Sequence, residues 1–119
     1  MCGIAGCLLT GGSAFDGMEV VRRMSRAMEH RGPDAEGFLS EGPIALAHRR
    51  LSIIDVSESS NQPFIDASGR YAIVFNGEVY NFKEVRDELG GYAFRTKSDT
   101  EVVLAAFAEW GPACVHRFK

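Results

Sequence analysis

The sequence is short of several things, and each shortage excludes something. It has three cysteines in 119 residues, Cys2, Cys7 and Cys114. An odd count without CxxC spacing argues against a disulfide framework and for reduced thiols in the cytoplasm. Histidine is equally scarce. His30, His48 and His116 are too scattered for a structural zinc site, and no metal is expected. No apolar run approaches the roughly 20 residues that a membrane span needs. The opening MCGIAGCLL has no basic n-region and does not read as a signal peptide. Charge of one sign is lacking too: 13 Lys plus Arg against 16 Asp plus Glu leaves a net −3. That offers no footprint for nucleic acid or an anionic membrane. The sequence also has no internal repeat, low-complexity tract or interdomain linker. What remains is a globular composition, 45% hydrophobic and 24% charged, at a length of about one domain.

The local patterns alternate between strand and helix. Cys2 to Leu9 is apolar on both faces, which predicts a buried strand. Asp16 predicts an N-cap with Glu19 as its reciprocal partner. Val20, Val21, Met24, Ala27 and Met28 then follow at helical spacing, and the helix should stop near His30, ahead of Gly32-Pro33. Gly37–Ser40 and Ile44–His48 flank Glu41-Gly42-Pro43 and predict a hairpin. Leu51–Ile54 reads as a further strand or its end, and 55–63 as a polar loop. Tyr71–Phe75 is the strongest strand signal and runs into the turn dipeptide Asn76-Gly77. Two more capping boxes follow, Asn81 with Glu84 and Ser98 with Glu101. The second opens a helix with Val102, Val103, Ala106, Phe107 and Trp110 on its apolar face, ended by Gly111-Pro112. The order β–α–β–β–β–α–α is that of an α+β protein.

Cys2 is the residue with chemistry of its own. Removal of Met1 would make it the N-terminal residue and place a free amine beside the thiol. An α-amino group has a pKa of about 7.7–8.0 and a thiol about 8.5. Near neutrality the amine can therefore serve as base, directly or through one water, while the sulfur serves as nucleophile. The same residue is also a plausible small core cysteine. Asn76-Gly77 is equally readable as a tight turn, and the charged residues as solvated surface.

Five segments in order change that balance: Met1–Gly6 (MCGIAG), His30–Asp34 (HRGPD), His48–Asp55 (HRRLSIID), Asn76–Asn81 (NGEVYN) and Ser98–Glu101 (SDTE). Together they resemble the class II glutamine amidotransferase domain, an N-terminal-nucleophile hydrolase, over 1–119. Within that group they are most similar to the N-terminal glutaminase part of the asparagine synthetases. The resemblance implies a sandwich of antiparallel sheets between helices, an αββα fold. It implies that Cys2 attacks the carboxamide of glutamine, giving a thioester and ammonia. Asn76 and Gly77 match the oxyanion donors, which must be preorganised to be effective. Arg50 matches the residue that pairs with the substrate carboxylate, for which a guanidinium fork is suited. Asp99 matches the acid that holds the ammonium, with Glu78 as a secondary contact. Asp99 also stands in the first turn of a predicted helix, where an acid is favoured anyway. Leu51 and Ile53 are expected to line the pocket. His48 is expected to be structural, as are Arg31 and Asp34, which would hold a loop near the site. Cys7 should face away from Cys2.

The resemblance also implies that such a domain continues past Lys119. The chain is therefore expected to be an incomplete N-terminal portion of the domain, with open sheet edges and exposed apolar faces. No synthetase domain and no SGGxDS-type pyrophosphate loop is present. ATP and magnesium would belong to that absent half, and the glutaminase half would need no cofactor. The expected partners are glutamine and the synthetase domain of a full-length parent. Two other readings stay open at this point: a class II amidotransferase with a different acceptor, and a non-catalytic fragment.

Overall fold

A computed structural model describes residues 1–12, 14–51 and 61–119. Of the strand expected over 51–54 and the loop expected over 55–63, residues 52–60, Ile53 among them, lie outside the described residues. The architecture is α+β with antiparallel sheets. It divides into two compact units.

The first unit holds the described residues up to Leu51, with Asn61–Pro63 and Val74–Asn76. Its strands are β1 (Gly3–Leu8), β2 (Ala35–Glu41) and β3 (Ile44–Arg50), and its helix is α1 (Gly17–Ala27). They form an antiparallel sheet in the order β1-β3-β2. The expected hairpin is β2–β3, turned by Gly42 at φ 54°. The left-handed value suits glycine, which has no Cβ to clash. Successive side chains of β3 point to opposite faces. Ala45 and Ala47 are buried against Val21 of α1, with Ala5, Cys7, Met18 and Phe38 around them.

The helix is capped by Asp16, whose Oδ1 accepts from Met18 N at 3.0 Å. It is followed by a single 3₁₀ turn, Glu29–Arg31. Its contact stripe differs from the apolar one read from sequence. Gly17, Val21 and Ser25 are buried at four-residue spacing, whereas Met24 is 41% exposed. The reason is Arg49: its Nε donates to Ser25 O at 3.3 Å and Ser25 Oγ at 3.0 Å, and its Nη2 pairs with Glu36 at 2.8 Å. A buried guanidinium needs polar partners beneath the helix, and Ser25 supplies them. The expectation that β1 is covered on both faces is also corrected. β1 lies at an edge of the sheet, and Ile4 and Leu8 are exposed.

The second unit includes Phe64–Ile73 and Gly77–Lys119. Strands β4 (Phe64–Ile65) and β5 (Ala72–Ile73) pair antiparallel. Asp66 holds their turn, accepting from Tyr71 N at 2.8 Å and Ser68 Oγ at 2.5 Å. Burial alone would raise the Asp66 carboxyl pKa, but these bonds hold it below the usual value. Helices α2 (Phe82–Glu88) and α3 (Asp99–Trp110) bury Val85, Leu89, Val102, Ala105 and Ala106, joined by Cys114 from the 3₁₀ segment Gly111–Arg117.

Neither of the later capping boxes forms as read. Asn81 makes no cap bond. Its Nδ2 donates to Arg117 O and its Oδ1 accepts from Lys119 N, both at 2.8 Å, tying the last residues to the start of α2. Ser98 does cap α3, accepting from Thr100 N at 3.1 Å. Glu101, fully buried, turns to the incoming chain and accepts from Arg95 N, Thr96 N and Thr96 Oγ1 at 2.7–2.9 Å.

Two glutamates with the same sequence signature should therefore behave differently. Glu101→Ala leaves buried donors unpaired and should destabilise by about 3 kcal/mol. Glu84→Ala, on an exposed face, should stay within about 0.5 kcal/mol. Urea unfolding of both variants checks this, and equal losses would contradict the assignment.

Candidate active site

Cys2 lies just ahead of β1 and is half-buried. Its thiol meets both backbone groups of Leu51. Sγ accepts from Leu51 N at 3.3 Å and lies 3.6 Å from Leu51 O. Leu51 follows the last residue of β3, so strand pairing brings the two ends together. Arg31 Nε donates to Cys2 O at 3.3 Å, and Asp34 N donates to Arg50 O at 3.0 Å. Arg31 thus reaches the Cys2 backbone with its side chain, whereas the Asp34 bond is a main-chain contact to the residue before Leu51. Cys7 instead directs its sulfur toward Gly17 O at 3.6 Å, beneath α1.

Arg50 is on the sheet face opposite α1. It is 7% exposed, and its Nη1 donates to Asn61 Oδ1 at 2.6 Å. His48 shares that face and is fully buried. Among the described residues, neither ring nitrogen has a hydrogen-bond partner. Burial lowers its pKa to about 4; the Phe75 backbone pulls the other way without closing a hydrogen bond, and the Arg50 charge adds to the lowering. The ring is therefore neutral at pH 7, in keeping with a structural residue.

Residues 61–63 and 74–76 cover this face. The carbonyl of Gln62 lies over Gly37 of β2, where a Cβ would come within 2.0 Å of it. Gln62 Oε1 accepts from Phe75 N at 2.5 Å. This corrects the reading of Tyr71–Phe75 as one strand. Among the described residues only Ala72–Ile73 pairs in a ladder, and the Phe75 amide is taken by a side chain. Asn76 follows at once and is exposed.

Gly77 and Glu78 belong to the second unit and are exposed. Asp99 opens α3 and is 6% exposed. Its Oδ2 accepts from Val79 N at 3.1 Å, anchoring the NGEV segment to the helix start. Of the candidates, the structure joins Cys2 directly to Leu51, and Asp99 to the residue after Glu78. Ile53 is outside the described residues.

Sequence reading did not single out Asn61, Gln62 or Glu101 as site-building residues. The adjacent amides of Asn61-Gln62 are a weak signal, since nothing local says which backbone they will reach. A cavity of about 320 Å³ lies at Leu89, Tyr92, Ala105 and Trp110 and contains none of the candidate residues. Among the described residues, no group of three or more His, Cys, Asp or Glu is placed to hold a metal ion. None of the described helices is long and apolar enough to cross a membrane.

A family model described as a glutamine amidotransferase domain matches residues 1–119. Asparagine synthetase [glutamine-hydrolyzing] 1 of Bacillus subtilis is 42% identical over 114 residues, covering 92% of this chain and 18% of the relative. The asparagine synthetase [glutamine-hydrolyzing] of Sandersonia aurantiaca is 39% identical over 116 residues, 98% of this chain and 22% of the relative. Asparagine synthetase B [glutamine-hydrolyzing] of Escherichia coli is 40% identical over 113 residues, 94% and 20%. The chain spans about a fifth of the length of these relatives.

His48 generates a pH prediction. Its folded pKa lies below the ordinary 6.5. The neutral ring's contribution is thus complete above about pH 6.5 and is lost as pH falls through about 4. At about 1.4 kcal/mol per pKa unit, that window is worth about 3 kcal/mol. His48→Gln cannot titrate and should show a correspondingly smaller fall in urea stability between about pH 7.5 and 4.5. Parallel falls in wild type and variant would show that His48 is not the group responsible.

Proposed function

The chain belongs to the glutamine amidotransferase domain family, and we propose that it carries a glutaminase site that supplies ammonia for asparagine synthesis within a longer parent. The single observation that carries the reading is Cys2. It directly follows Met1, its sulfur sits at the Leu51 backbone, and its own carbonyl is held by Arg31. A nucleophile fixed by backbone contacts at the start of a paired strand is preorganised for attack.

Removal of Met1 frees the amine that acts as base. The sulfur gives up its proton to that amine and bonds to the glutamine carboxamide carbon. The carbonyl electron pair moves to oxygen, and the Asn76 side chain with the Gly77 N–H stabilises the oxyanion. Collapse breaks the C–N bond. The nitrogen takes the proton from the Cys2 ammonium and leaves as ammonia, giving a thioester. Water, deprotonated by the same amine, attacks the thioester and releases glutamate with the thiol restored. Arg50 binds the substrate carboxylate, its guanidinium steered by Asn61. Asp99 binds the ammonium with Glu78 beside it, while Leu51 and Ile53 line the pocket.

These steps call on no cofactor, because one residue supplies nucleophile and base. ATP and magnesium are assigned to the synthetase part of the parent, which is the partner this domain would feed. The relatives' names, asparagine synthetase [glutamine-hydrolyzing], support that acceptor over others in the class. We assign the whole domain to the N-terminal-nucleophile hydrolase sandwich, in keeping with one helix layer on an antiparallel sheet. Three free cysteines suit a cytoplasmic setting.

The test is glutamate release from glutamine by protein whose first residue is Cys2, confirmed by intact mass. Cys2→Ala should abolish release, and Cys2→Ser should leave on the order of a hundredth or less. Retained Met1 should also abolish it, since the amine is then an amide. Wild-type turnover in either variant would remove Cys2 as nucleophile. Separately, Arg50→Lys should raise KM for glutamine about tenfold through loss of the planar fork. An unchanged KM would remove Arg50 from substrate binding.

A further inference from the structure

We propose that Gln62 is a positioning residue for this site, setting the oxyanion donor Asn76 through the backbone of Phe75. The inference rests on the glutaminase reading above and goes past it, to the residue that aims the donor.

β5 ends at Ile73, so among the described residues the Phe75 N–H has no ladder partner. Phe75 is only partly exposed, and an unpaired amide there would be costly. Gln62 takes it, with Oε1 at 2.5 Å from Phe75 N. Gln62 is itself 8% exposed and has little room to move. Its carbonyl is seated over Gly37, where only the missing Cβ allows the approach. The next residue after Phe75 is Asn76, which is exposed. The Gln62–Phe75 bond fixes the main chain one residue before it, and through that main chain it bears on where Asn76 stands.

The neighbouring residue gives a second reason. Asn61 holds Arg50 through Oδ1 at 2.6 Å. The dipeptide Asn61-Gln62 thus has one side chain on the arginine assigned to the substrate carboxylate and the next on the backbone amide just before the assigned oxyanion donor. Both are seated on the same sheet through Gly37. An oxyanion donor acts mainly in the transition state, so losing its aim should lower kcat rather than raise KM. A misplacement of about 1 Å can cost about a hundredfold.

The experiment uses the chain beginning at Cys2. Gln62→Met keeps the length and removes the acceptor, while Gln62→Glu keeps an oxygen at the same position. Gln62→Met should lower kcat for glutamine hydrolysis by about tenfold to a hundredfold, with KM within about twofold. Gln62→Glu should recover most of that loss. Amide hydrogen exchange gives a readout that needs no turnover. The Phe75 N–H should exchange at least about tenfold faster in Gln62→Met and near the wild-type rate in Gln62→Glu. Should Gln62→Met fail to fold, Gln62→Asn withdraws the acceptor by one methylene and takes its place.

Unchanged Phe75 exchange in Gln62→Met would overturn the proposal. So would faster exchange with kcat unchanged, or a loss carried by KM. A wild type that shows no glutamine turnover would sink the glutaminase reading itself, and the catalytic part of this proposal with it. A wild type that turns over glutamine as fast as Gln62→Met would sink the role of Gln62 alone.

Discussion

The period-two alternation of side chains along β3 organises the first unit. Arg49 and Arg50 are neighbours of the same type with opposite tasks. Arg49 points under α1 and satisfies its charge on Ser25 and Glu36. Arg50 points to the other face and meets Asn61. Ala45 and Ala47 share the Arg49 side, and their small size lets the helix lie close. His48 shares the Arg50 side. A slip of one residue in strand register would exchange these faces at once, moving Arg50 into the helix interface. The antiparallel pairing of β3 with both β1 and β2 fixes the register from two sides.

The second unit relies on a different device, polar side chains that complete irregular backbone. Glu101 gathers donors from Arg95 and Thr96, Asp66 ties the β4–β5 turn, Asp99 holds Val79, and Asn81 clasps the residues near Lys119. Few backbone bonds here belong to long ladders, since β4 and β5 are two residues each. Backbone groups that leave regular structure still need partners. Side-chain carboxylates and amides meet that need at each bend.

The legible parts of the sequence were those governed by short-range rules. The β2–β3 hairpin, α1 with its Asp16 cap, and α3 with its Ser98 cap follow from local periodicity and turn chemistry. The α+β class followed from their order. Misreadings arose where a side chain served a distant backbone. Glu101 and Asn81 both stand in capping-box spacing, yet each is spent on another segment. Tyr71–Phe75 has strong strand propensity, but tertiary context left only two of its residues in a ladder. The helix stripe shifted because a buried arginine made Ser25 an interior residue. At the candidate site, Cys2 and Asn76 carry signals in their own sequence neighbourhoods. Asn61 and Gln62 do not, because their meaning depends on which strand passes above them.

The seat of Gln62 over Gly37 has a consequence for variation in this chain. Gly37 and Gly32 have backbone where a Cβ would fall, within 2.0 Å and 2.4 Å, whereas Gly91 has nothing within 4 Å of that point. Glycine is thus a steric requirement at the first two positions and a mere occupant at the third. A randomised library passed through a folding screen would return glycine alone at 32 and 37 and a broad alphabet at 91. The sheet surface beneath the site is in this sense frozen by hydrogen atoms, the smallest side chains available, while the turn after α2 is free to drift.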